Sequence, residues 1–284
     1  MIWLQVLVSG ISLSGYYALL AVGFALIFAT FRIFHISHAV VFGAAGYAFF
    51  VFHRLWGLHF LIAAALAVLI AAAVGWLIDN LLYRPILRRG GSLFSVFIAS
   101  LGLSLIFEAV VLILTKGQLS KANAAPMQIV EFDQVAIRFY DVMVIGIVAV
   151  LYAVVYAWMM RTRTGLEIRA LSDNPNLATV VGVNIGRTRS AVFLVASALA
   201  GVAGIITAYD AGMTPTKGIE LLFITLVAVI FGGTRNIFLG ALAGGLVMGL
   251  VTATAGFLAP QWVIISVFGM LILLLIARPH GLLG

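Results

Sequence analysis

Few side chains in this sequence can do chemistry, and those that can stand among apolar neighbours. His35 and His38 lie three apart, one turn if helical. Two imidazoles with neither a carboxylate nor a cysteine beside them are too few for a metal site. The pair reads as interfacial packing, helix capping, or part of a path or gate. Glu108 is the carboxylate deep inside an apolar run that begins near Leu93, about 22 Å along it at ~1.5 Å per residue. An ionisable side chain in lipid costs on the order of 2.5–3.5 kcal/mol to insert, so it should face a cavity or a partner. Three roles stay open for Glu108: lining a translocation path, hydrogen-bonding a neighbouring helix as a neutral acid, or proton-linked gating. The sequence has no cysteine, which excludes disulfides and thiolate chemistry. No Ser/His/Asp, H-E-x-x-H or paired-carboxylate arrangement stands at a working spacing, and there is no G-x-x-x-x-G-K-S/T phosphate loop. No catalytic residue, metal or cofactor is expected, and any use of ATP belongs to a partner.

The elements that must position these residues are membrane helices. A soluble domain carries about 25% charged residues; here 9% are charged and 64% hydrophobic. Apolar runs fall at 4–31, 36–52, 60–82, 93–115, 140–160, 190–209, 220–234, 237–257 and 260–277. Crossings of about 20 residues each use up nearly the whole chain. The expected fold is all-α, a polytopic bundle of eight or nine membrane helices forming one transmembrane domain over 1–284. The runs 36–52 and 220–234 are short, so a tilted, broken or re-entrant course is expected where protein buries the irregular backbone. Gly-rich stretches follow polar breaks at both 35–47 and 233–249, a weak internal echo of the kind that can mark a transport site. Gly240/Gly244 and Gly245/Gly249 have the spacing of close helix packing. Trp56, Tyr140, Trp158 and Trp262 read as interface anchors, and Arg32 as a snorkelling side chain.

The formal charge is +7. No basic run is interleaved with aromatics, so nucleic acid is not the reason; membrane proteins gather Lys and Arg in cytoplasmic loops. Arg84, Arg88 and Arg89 follow the third run. The segment 161–189 holds Arg161, Arg163, Arg169, Arg187 and Arg189 against Glu167 and Asp173, whereas 116–141 is balanced and 210–220 slightly acidic. This alternation places the N-terminus outside and the C-terminus in the cytoplasm. The first run lacks a basic n-region and a small-residue cleavage site, and reads as a retained helix.

The segment 161–189 is too well punctuated to be a slack connector. Thr164 and Glu167 have capping-box spacing. Asn174-Pro175 reads as an N-cap followed by proline at the first helical position, and Gly182 as a helix stop. An ordered cytoplasmic element needs something to pack against, either its own helix ends or a motor subunit. Further features are Arg161-Thr162, Gly165, Arg169-Ala170, Ala178, Gly182-Val183-Asn184 and Ala200 to Gly204. More weakly come Tyr17-Ala18-Leu19, Gly23, Tyr83-Arg84-Pro85, Ala99 to Ser104, Gly232-Gly233 and Arg278 to Leu282. In this order and spacing the chain resembles permeases of the branched-chain amino acid ATP-binding-cassette importer family.

The resemblance implies a multi-pass subunit of a bacterial inner membrane. Its partners would be a second, similar permease in a heterodimer, two cytoplasmic ATPase subunits and an extracytoplasmic solute-binding protein. The 161–189 loop would transmit ATPase closure, with Thr164, Gly165, Glu167, Arg169, Asn174, Pro175 and Gly182 as its coupling residues; His35, His38 and Glu108 would line the path. A branched-chain or other apolar amino acid is the implied solute. Urea, short amides and small organic acids are alternatives, and an ion-coupled secondary transporter is a further one, although such a protein wants more intramembrane acids. Three features depart from the family pattern. His35-Ile36-Ser37-His38-Ala39-Val40 stands where members read N-F-A-H-G-E. The stretch 232–240 is one residue longer and lacks a frequent proline. Glu108 replaces a neutral polar residue.

Overall fold

The computed structural model describes residues 2–123, 129–132, 135–233 and 236–277. In lipid a helix satisfies its backbone hydrogen bonds within itself, and the apolar runs accordingly form α1 (Ile2–Phe31), α2 (His38–Phe49), α3 (Phe60–Leu77), the short α4 (Arg84–Arg88) and α5 (Leu93–Thr115). After a small hairpin, β1 (Ile129–Phe132) and β2 (Val135–Arg138), come α6 (Phe139–Arg161), α7 (Arg163–Asp173) and α8 (Pro175–Val180). The chain continues as α9 (Ile185–Asp210), α10 (Lys217–Gly232), α11 (Ile237–Leu258) and α12 (Val263–Ala277). The helical-bundle expectation holds. The antiparallel hairpin, pairing Ile129 with Arg138 and Phe132 with Val135, lies in the balanced 116–141 segment and was not foreseen.

Among the described residues, eight helices are long and apolar enough to cross a bilayer. The short second run reaches that length because α2 continues into a π turn, Phe50–Leu55. The other short run is α10, with 16 residues. The Arg278 to Leu282 match and the Thr234-Arg235 part of the lengthened stretch lie outside the described residues.

The chain divides into two compact units. The first comprises Met1–Ala25, Ala125–Tyr156 and Phe223–Gly284. Within it, α11 packs through the expected glycines. A Cβ at Gly244 would fall onto the Ala228 carbonyl oxygen, one at Gly245 would come within 2.7 Å of the Ala18 nitrogen, and one at Gly249 would strike the Ser14 hydroxyl. On α6, Asp141 accepts from Ser12 at 2.7 Å and pairs with Arg138 at 2.8 Å.

The second unit comprises Leu26–Ala124 and Ala157–Leu222. Its centre is α2, α3 and α9. On α3 the buried residues are Ala63, Ala67, Ala71 and Gly75, a strict four-residue repeat of small side chains. Gly201 on α9 abuts Ala71, and Gly204 meets the Phe42 carbonyl of α2. Lipid tails are as apolar as leucine, so helices associate through such close packing rather than through a hydrophobic drive.

Candidate functional site

The segment between α6 and α9 is built by capping. Thr162 sits in extended conformation between α6 and α7, and its hydroxyl accepts from Gly165 N at 3.1 Å and donates to the Trp158 carbonyl at 2.7 Å. The capping box expected at Thr164 and Glu167 is therefore corrected. Helix α6 runs without a loop to Arg161, so the single break falls at Thr162 and Thr164 lies inside the first turn. Glu167 instead accepts from Thr188 of α9 at 2.6 Å. A Cβ on Gly165 would fall onto the Met159 carbonyl oxygen, so only glycine lets α7 fold back on the end of α6.

The second half matches expectation. Asn174 accepts from Leu177 N at 3.0 Å, with Pro175 at the first helical position. Gly182, at φ +90°, ends α8: its N–H donates to Thr179, and Val183 N–H reaches back to Ala178 at 3.0 Å, the paired bonds of a Schellman stop. Asn184 then caps α9 through Arg187 N at 3.0 Å. The segment buries Gly165, Ile168, Leu171 and Ala178. On its outer side Leu166, Leu177, Val180 and Val181 are 59–82% exposed. Among the described residues the Arg169 guanidinium donates to the Met160 sulfur, at 2.7 Å.

A buried carboxylate that sequence reasoning passed over joins α9 to the turn that continues α3. Asp79 is fully buried and pairs with Arg84 at 2.7 Å and Arg189 at 2.6 Å. It lies in a π turn, Ile78–Tyr83, that continues α3. Such turns pair residues five apart, which brings Asp79 and Arg84 together. Arg84 also donates to Ser190 at 2.8 Å and to the Gly186 carbonyl at 3.1 Å. The D-x-x-x-x-R spacing was visible in the sequence, but on a regular helix it points the two groups apart.

His35 and His38 are buried where α1 gives way to α2. Arg32, at φ +56°, closes α1. His35 Nδ1 lies 2.7 Å from the Tyr83 hydroxyl, which donates to Ser100 at 2.9 Å. Ser100 also accepts the Ser37 N–H at 2.7 Å. The two imidazole rings sit 5.5 Å apart, edge to face. These contacts make the pair part of a packed junction of α2, α3 and α5.

Glu108 stands apart from that junction, in a cleft formed by α2, α5 and the start of α10. The cleft has about 260 Å³ of empty space, open solvent included, and within it room for about one water-sized group. Tyr47, Phe107, Met213 and Ile219 share its lining. Gly43 lets Phe107 approach α2, and Gly218 lets α10 approach Ala39. Met213 is pinned by two 2.9 Å backbone bonds to Ser120. Glu108 has no hydrogen-bond or ion-pair partner among the described residues. The Tyr47 hydroxyl is also buried without one, a loss of about 1–3 kcal/mol when nothing fills the site. The structure thus brings Glu108 to a cavity, and neither histidine lines it.

The described residues form a polytopic membrane-helix bundle with a capped, apolar-crowned segment between two of its spans. The family model for the branched-chain amino acid transport system permease component matches residues 6–276, and the chain belongs to that family. It is a multi-pass protein of the inner membrane. The high-affinity branched-chain amino acid transport system permease protein BraD of Pseudomonas aeruginosa is 26% identical over 99% of this chain and 96% of that protein. The corresponding permease LivH of Escherichia coli is 27% identical over 99% of this chain and 96% of its own length. A probable LivH of Methanocaldococcus jannaschii is 28% identical, covering 99% and 92%. The solved complex of PsaBC from Streptococcus pneumoniae with a Fab shares 14% identity at TM-score 0.49, covering 97% of this chain and 91% of that one, a likeness too loose to add to the fold.

Proposed function

We propose that the chain is the translocating subunit of an ATP-driven importer for a branched-chain or other apolar amino acid. The relatives named as branched-chain amino acid permeases support the solute class. In this reading a binding protein delivers solute from outside, a second permease completes the path, and two separate ATPase subunits supply the work. The two units act as one permease domain, with the N-terminus outside and the C-terminus cytoplasmic. The path runs against Glu108, and His35 and His38 close its inner end.

The observation that carries the proposal is the 162–184 segment. Leucine and valine side chains exposed on a side-chain-capped element that also carries Arg163, Glu167, Arg169 and Asp173 form a docking surface: an apolar centre with a charged rim suits a protein partner, while the caps make the element stiff enough to transmit force. Its hold on α6 through Gly165 and on α9 through Glu167, with the Asp79–Arg189 pair leading from α9 to α3, gives closure of the motor a route into three spans, so alternating access follows from rigid motion of this element. In proteoliposomes holding the complete importer, Arg169→Glu is expected to lower leucine uptake per ATP hydrolysed several-fold while ATPase activity persists. Helix-breaking changes at 175–180 should do the same. Wild-type coupling in both would overturn the assignment of this segment.

A further inference from the structure

The Glu108 cleft is not explained by packing. Its carboxylate lacks a partner among the described residues, the Tyr47 hydroxyl is sealed off without one, and Gly43 and Gly218 let the walls approach around room for about one water-sized group. A solitary acid held in an apolar recess selects a compact cation. No lysine or arginine lines the cleft, so it offers nothing to an anion.

We propose that this cleft recognises the protonated primary amine of the passing solute. An ammonium group presents three donors and no acceptor. The acceptor-only carboxylate of Glu108 takes the charge and one N–H, and the Tyr47 oxygen accepts a second. Room for about one water-sized group admits an –NH3+ head and excludes a guanidinium or a methylated amine. The apolar body of the solute rests against the half-buried Phe107 and Ile219. The cleft therefore acts as a specificity filter inside the membrane, additional to whatever the binding protein selects, and it argues against simple organic acids as solutes. This inference rests on the importer reading.

The test uses the complete importer in proteoliposomes with leucine as probe. Glu108→Gln is expected to lower uptake about tenfold or more, the equivalent of one charge-assisted hydrogen bond, while ATPase activity stimulated by the loaded binding protein persists. Glu108→Asp should recover part of the uptake. Tyr47→Phe, which keeps the ring, should lower uptake several-fold, and it carries the test alone if Glu108→Gln does not assemble. Replacing Na+ and K+ by choline should change nothing. Wild-type uptake by Glu108→Gln and Tyr47→Phe would overturn the inference. So would equal loss of uptake and ATPase in Glu108→Gln and Glu108→Asp, the mark of a structural role. A cation dependence of the wild type that Glu108→Gln abolishes would assign the cleft to an inorganic ion instead. If the wild type imports no amino acid at all, the importer reading is what fails.

Discussion

The helix core of the second unit and the 162–184 segment reach order by opposite means. In α2, α3 and α9 the contacts are made by what is missing: Gly204 lets its backbone meet that of Phe42, and Gly201 and Gly75 leave room for the Ala71 and Ser197 side chains. In the segment, order comes from added polar groups, with Thr162, Asn174 and Asn184 each satisfying a free backbone N–H. The difference follows the solvent. Apolar side chains gain little by meeting one another in lipid, so dense packing and buried hydrogen bonds remain as the adhesive. In water the helix ends would fray without caps, and the apolar residues left outside, Leu177 and Val180 among them, make up the surface proposed above for a partner.

Substitutions should separate the two regimes. The largest effect is expected where they meet: Asp79→Leu leaves Arg84 and Arg189 facing each other in a mostly buried site, at about 3–5 kcal/mol. The thermal midpoint in detergent should fall steeply, and a change within error would reduce the cluster to an ordinary surface pair. Gly204→Val comes next. It drives a side chain into the Phe42 backbone, costs roughly 1–3 kcal/mol by overpacking, and should lower the midpoint of the whole protein. Asn174→Ala is the smallest, about 1 kcal/mol for a lost cap. Its effect should be local, seen as faster amide exchange over 175–182 with the midpoint unmoved. If it lowered the midpoint as much as Gly204→Val, the contrast between core and segment would be wrong.

The legible part of the site is the part made by neighbours in sequence. Asn174-Pro175 and Gly182 announced a helix start and stop because those contacts close within four residues. The glycine pairs of α11 were readable for the same reason, since their spacing alone lays them on one face. Thr164 misled because Thr162, two positions earlier, has the same chemistry, and only the end of α6 decides which of them is outside the helix. Asp79 went unread because its meaning depends on a π turn and on an arginine more than a hundred residues away. Glu108 was noticed for its charge, but whether it faced a helix or a cavity was undecidable from its own run.

Composition and apolar run length were enough to establish a membrane bundle, because hydrocarbon forces every backbone polar group to find its partner nearby. Which polar side chains converge is another matter. The pairing of Asp79 with Arg189, the junction of His35 with Tyr83 and Ser100, and the shared recess of Glu108 and Tyr47 all depend on helices distant in the chain lying side by side. No local energy term encodes that adjacency; it appears only when the packed helices bring those faces together.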